Sequence, residues 1–193
     1  MNPNDLRVIK TKRALSDSLF NLLSEKLFSA ITVNMICDKA LVHRTTFYKH
    51  FYDKYDLLSY LITNLTKDYF EKDIRERIEA PFKALSSFFD KPIEKIDIKQ
   101  RHDQQFMETV TAIFIQKIRQ DIIDNADIIE VPGNPPIKVV SRVFESVITA
   151  IGDWTYDEHK LCADYSNAID NPDSLDKMFN QLLNIKVKPE KSI

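Results

Sequence analysis

Ile31-Thr32-Val33-Asn34-Met35-Ile36-Cys37-Asp38-Lys39-Ala40-Leu41-Val42-His43-Arg44-Thr45-Thr46-Phe47-Tyr48-Lys49-His50-Phe51 is the stretch on which the reading of this chain turns. Thr32 has the chemistry of an N-cap, a hydroxyl able to accept from a backbone N–H in the first turn. Ile31 and Ile36 flank it at the spacing of a hydrophobic staple. The pattern predicts a helix from Val33 to Lys39 or Ala40 and a tight turn at Leu41-Val42. A further helix follows, from His43 or Arg44 to His50. Phe47 and Phe51, four residues apart, can bury one face of that last helix, which leaves Arg44, Thr45, Tyr48 and Lys49 on the others. Arginine can grip guanine with two hydrogen bonds, threonine can meet a thymine methyl or a base edge, and tyrosine and lysine can hold phosphates. The plainer reading of the same residues is a solvated helix face over two core phenylalanines.

Working outward, Leu15, Leu19, Leu22 and Leu23 recur at helical spacing and predict a first helix over 6–26, followed by a break at Phe28-Ser29-Ala30. Three short helices with a tight turn between the second and third is the helix-turn-helix plan. Downstream, Asp53 suits an N-cap, with Tyr52 and Leu57 as a staple. Leu58, Leu61, Ile62, Leu65 and Tyr69 predict one long helix reaching about Ile78, before Pro81. Further helices are predicted over Phe82 to Phe89, 99–128, 137–157 and from Asp173 or Ser174 through Leu183, with a loop at Val131-Pro132-Gly133-Asn134-Pro135-Pro136 and a polar, frayed tail from Lys186. The fold class is therefore all-α. The expected domains are 1–52, a helix-turn-helix DNA-binding domain, and 53–193, a helical domain.

Composition agrees. The 193 residues include only Gly133 and Gly152 as glycines, too few for a hairpin-rich fold or for glycine-rich phosphate loops. No apolar run approaches the roughly 20 residues that span a bilayer. The polar start and two distant cysteines, Cys37 and Cys162, lead to the expectation of a cytoplasmic protein with reduced thiols. The net charge of −2 hides an asymmetry. Residues 1–60 carry nine basic and six acidic side chains, and the remainder carries 18 basic and 23 acidic ones. A small basic module on an acidic body is what a nucleic-acid binder of modest total charge requires.

Residues 7–58 resemble the N-terminal domain of TetR-like transcriptional regulators. Thr32-Val33, Phe47-Tyr48, His50-Phe51, Lys54 and Leu57-Leu58 fall in step with that family's pattern without a gap. The resemblance implies double-stranded DNA as partner, read as a pseudo-palindromic operator by a homodimer, and a repressor released by a small-molecule effector. It implies phosphate or backbone contacts from Thr32, Tyr48, His50 and Lys54, a groove-facing set of Arg44, Thr45, Thr46 and Lys49, and places Val33 and His43 among the DNA-binding residues. Leu41 stands where the family usually has glycine, His43 where serine usually caps the recognition helix, and Thr45 where glycine is common. With Leu41 there, the turn is expected to be less relaxed or to move toward the right-handed region.

The resemblance also implies that the last two helices, near 137–157 and 173–185, form the dimer, with Val147 and Phe179 near the seam. Phe106, Phe114 and Trp154 are the ligand-binding candidates, weighed against ordinary core packing of aromatic residues. His159 and Cys162 are three apart, but no second pair completes a metal site. No cofactor, catalytic constellation or metal is expected. A helical co-activator that acts through protein partners, without release of DNA by a ligand, is the competing reading.

Overall fold

A computed structural model describes residues 5–86, 91–158 and 172–188, except the side chains of 86, 91, 92, 94 and 151–158. The chain order is α1 (Leu6–Leu23), a 3-10 turn (Phe28–Ala30), α2 (Val33–Ala40), α3 (Arg44–Phe47), α4 (Lys54–Leu65), α5 (Lys67–Glu71), α6 (Ile74–Glu79), α7 (Pro81–Ser86), α8 (Lys91–Gln100), α9 (Gln104–Asp124), β1 (Ile129–Glu130), α10 (Ile137–Glu158), α11 (Pro172–Leu183) and β2 (Lys186–Val187). The fold is all-α, with a single antiparallel pair of two-residue strands among the described residues. No helix among them is long and apolar enough to cross a membrane.

The chain forms two compact units, one of residues 1–67 with 89–113 and one of 68–88 with 114–193. The first unit is thus larger than the 1–52 segment. Leu15, Leu19, Leu23, Phe28, Ile36, Phe47, Leu57 and Leu58 are joined in one core by Ile96 of α8 and Phe106 of α9. Three local signals hold where the sequence puts them. Thr32 Oγ1 accepts from Met35 N at 3.3 Å. Ile31 and Ile36 are both buried. Asp53 Oδ1 accepts from Tyr55 N and Asp56 N, both at 2.8 Å. Tyr52 departs from expectation. It is 85% exposed and staples nothing, while its N–H donates to Asp56 Oδ2 at 2.9 Å, a reciprocal cap instead.

The long fourth helix is broken. Thr66 turns its hydroxyl onto the carbonyl of Ile62 at 2.8 Å, competing with the helical ladder, and Asp73 caps a new helix by accepting from Arg75 N at 2.8 Å. The expected helix over 99–128 is also two pieces. Asp103 N donates to Gln100 O at 2.7 Å, and Asp103 Oδ1 then accepts from Phe106 N at 3.1 Å to start α9. α8 had no counterpart in the periodicity. It places Pro92 in its first turn, where the missing N–H removes no helical bond.

In the second unit Phe144 and Phe179 meet edge-on at 5.0 Å, with Phe82 at 6.3 Å from Phe179. Buried Asp176 accepts from Phe82 N at 2.8 Å and Lys83 N at 3.1 Å and so caps α7. Burial outweighs those bonds and raises its carboxyl above the usual range. Arg77 is buried and pairs with Asp121. Its guanidinium also lies 5.7 Å from the Tyr69 ring and 5.6 Å from that of Phe70. The tail is not frayed at Lys186-Val187, because it pairs with Ile129-Glu130, and Lys188 O accepts from Arg75 Nε at 3.0 Å.

Candidate nucleic-acid interface

The α2–turn–α3 corner is built from local bonds. Leu41 ends α2 at φ 54°, ψ 39°, in the left-handed region, with its N–H on Asp38 O and Val42 N on Cys37 O. The turn therefore keeps the geometry that suits glycine despite its leucine, and the expected shift toward a right-handed turn does not occur. The side chain is 94% exposed, so nothing packs to offset the backbone strain, about 1–2 kcal/mol for an L residue.

His43 takes over the cap of α3. Its Nδ1 accepts from Thr45 N at 3.4 Å and lies 2.9 Å from Thr45 Oγ1. The regular part of α3 stops at Phe47, and hydrogen-bonded turns carry the chain to Phe51. Phe47 and Phe51 are buried with ring centres 5.9 Å apart. Their burial turns His43, Arg44, Thr45, Tyr48 and Lys49 to the exposed side, with Thr46 and His50 half-buried.

Arg44 Nη2 donates to Tyr48 Oη at 3.2 Å, and its guanidinium lies 5.5 Å from the Tyr48 ring. The pair shares one exposed surface one helical turn apart, a cation beside a hydroxyl donor. Burial, together with Lys12 and Lys49, holds the His50 imidazole below the ordinary histidine range, and its Nδ1 is buried without a hydrogen bond. At the start of α2, Thr32 is exposed and Val33 half-buried. Lys12, which sequence reading passed over, lies 5.6 Å from the Phe51 ring and 5.3 Å from that of Tyr60.

Lys54 is placed differently from the rest. Its ammonium donates to the carbonyls of Phe28 at 2.8 Å, Ile31 at 3.0 Å and Ser29 at 3.3 Å, and lies 4.5 Å from the Phe28 ring centre. Burial lowers its pKa, against the pull of Asp103 and Asp53. All three of its donors are engaged, so a phosphate would have to displace backbone carbonyls.

The ligand candidates separate. Phe106 belongs to the first unit's core, 6.1 Å from Phe28. Phe114 belongs to the second unit, half-buried, 5.9 Å from Tyr69 and 6.0 Å from Phe70. Trp154 stands on α10, and its side chain lies outside the described residues, as do His159 and Cys162. Phe179, expected near a dimer seam, is 1% exposed and serves the second unit's own core, because the same apolar stripe that could meet a partner is filled by Phe144 and Phe82.

No family model matches the chain. A stretch of 59 residues is 37% identical to the HTH-type transcriptional regulator YxbF of Bacillus subtilis (strain 168), itself described as uncharacterized. That stretch is 30% of this chain and 16% of YxbF, so the chain spans well under two thirds of that relative. Among solved structures, the chain is similar to NalD, the secondary repressor of the MexAB-OprM multidrug efflux pump in Pseudomonas aeruginosa. The identity is 17% over 89% of this chain and 94% of that one, with a TM-score of 0.48. The chain thus resembles TetR-like regulators in the residues of its helix-turn-helix and shares a stretch with an HTH-type regulator.

Proposed function

We propose that the chain is a DNA-binding transcriptional regulator that reads an operator through the exposed side of α3. One observation carries this reading: burial of Phe47 and Phe51 leaves Arg44, Thr45, Tyr48 and Lys49 together on the surface, one tight turn after a capped α2. In this reading Arg44, Thr45, Thr46 and Lys49 face the major groove. Thr32, Val33, His43, Tyr48 and His50 approach phosphates or backbone. Residues 1–52 supply every one of these contacts, and residues 53–193 supply assembly and sensing. The test is selection of duplexes from a random pool by the purified chain. Enriched pseudo-palindromes with half-sites about 34–36 Å apart, or a multiple of that, support the reading. A pool that shows no enrichment contradicts it and favours a helical regulator acting through protein partners.

Two copies are needed for such a site, and α10 and α11 are the proposed seam. Val139 and Val143 on α10 are 49% and 46% exposed, and Leu182 on α11 is 63% exposed, so these apolar side chains are only partly covered among the described residues. Val143→Asp would place an unpaired charge in each half of that seam, a cost of several kcal/mol. The expected outcome is a light-scattering mass of one chain with helical circular dichroism retained. A native mass of one chain with intact DNA binding would contradict the dimer. We assign the protein as a repressor released by an apolar or aromatic effector held in the second unit beside Phe114, whose ring keeps partial exposure. Loss of the enriched duplex on addition of such a compound is the corresponding readout.

A further inference from the structure

Beyond its own turn bonds, the backbone from Leu23 to Ile31, which leads into α2, is bonded by three side chains from elsewhere in the first unit. Gln100, fully buried at the end of α8, donates from Nε2 to Leu23 O at 2.6 Å and Lys26 O at 2.7 Å. Its Oε1 accepts from Phe28 N at 2.8 Å. One amide thereby uses both of its N–H donors and its carbonyl on a single bend of backbone. Asp103, also buried, accepts from Ser29 N at 2.6 Å. Burial alone would raise this carboxyl, but the N–H groups of Ser29, Phe106 and Gln105 hold it below the usual range. Lys54 takes the carbonyls of Phe28, Ser29 and Ile31. Thr32, the cap of α2, is the next residue after Ile31.

We propose that Gln100, Asp103 and Lys54 are positioning residues for DNA recognition, a polar clamp that fixes where α2 starts and hence where the exposed side of α3 points. The chain then carries part of its DNA-reading apparatus some 50 residues beyond the helix-turn-helix, on the α8–α9 corner. Lys54 acts within the protein and not on a phosphate. Gln100 cannot touch DNA, since none of its surface is exposed. The inference rests on the DNA-binding reading above, and the two can fail separately.

The experiment uses the full chain with the duplex it enriches from a random pool and a scrambled duplex of equal length, titrated across salt at a temperature well below unfolding. Gln100→Met keeps the volume and leaves three backbone groups unpaired. We expect about a tenfold or larger loss on the enriched duplex and about a twofold or smaller change on the scrambled one. Lys54→Met should lose affinity with its salt slope unchanged, whereas a phosphate contact would flatten the slope by about one per half-site. In amide exchange, Gln100→Met should deprotect α2 ahead of α1 and α4. Should Gln100→Met not fold, Asp103→Asn, which keeps the shape and weakens the acceptor, should give the same pattern more mildly. Gln100→Met affinities equal to native, a flattened slope for Lys54→Met, or α2 protection falling only in step with the whole unit would overturn the clamp. If the native chain enriches no duplex, the DNA-binding reading falls and the exchange result alone decides whether the clamp holds α2.

Discussion

The two ends of α2 are held by opposite means. At its start, the backbone leading into Thr32 is bonded by Gln100, Asp103 and Lys54, side chains 23 to 77 residues away in sequence. At its end, Leu41 turns the chain with bonds to Asp38 and Cys37 alone, and its side chain meets solvent. The start is a tertiary feature, and its geometry survives only while α4 and the α8–α9 corner stay in place. The end is local in its turn bonds and strained at Leu41, although Ala40 and Val42 pack against the core and Lys39 donates to Glu25 at 2.8 Å. A recognition element anchored firmly at one end and locally at the other keeps a defined origin for α3 while its exposed surface stays unencumbered.

The largest effect should come from breaking the firm end. Gln100→Met strands two carbonyls and one N–H in a buried site, each worth about 1–3 kcal/mol when unsatisfied. Denaturant unfolding should show a loss of about 3 kcal/mol or more, and a loss under about 1 kcal/mol would mean water or backbone relaxation replaces the amide. At the local end the sign reverses. Leu41→Gly removes the left-handed strain of a side chain that packs on nothing, so stability should rise by about 1 kcal/mol, less the extra freedom glycine has when unfolded. A decrease would show that the turn depends on Leu41 in a way its exposure does not reveal.

A smaller effect separates the two ends by pH. Asp103 is held below the usual carboxylate range, so the folded state binds its proton less readily than the unfolded chain does. Its contribution is present above the unfolded value near 4 and is lost as pH falls from there toward the lower folded value. Asp103→Asn should therefore flatten the acid limb of stability below about pH 4. Leu41→Gly should leave that limb's slope unchanged. Equal slopes in Asp103→Asn and the native chain would show that Asp103 is not among the carboxylates that set it.

The same division explains what could be read from the sequence. The Thr32 and Asp53 caps, the Ile31–Ile36 staple and the Phe47–Phe51 pair are signals within a few residues, and each stands as expected. The corner and its exposed residues were legible for that reason. The break at Thr66 was not, because Leu61, Ile62, Leu65 and Tyr69 keep helical spacing straight across it. Phe179, expected near the seam, lies in the second unit's core instead, since one apolar stripe serves either purpose until Phe144 is seen against it. Gln100 and Asp103 left one faint trace: with Ile96 and Phe106 they hold inward-facing positions at helical spacing, polar residues where apolar ones would ordinarily stand. Their partners are backbone groups of 23–29, which no side-chain pattern announces.

The most direct measurement is the binding of native and Arg44→Ala chains to the enriched duplex and to a panel of its single-base-pair variants. If the exposed side of α3 reads DNA, Arg44→Ala loses about 1–3 kcal/mol on the enriched duplex and ceases to discriminate at one base pair per half-site, with other positions unaffected. Equal weakening on every duplex, with discrimination intact at all positions, would contradict the placement of Arg44 in the groove and with it the reading of α3 as the recognition surface.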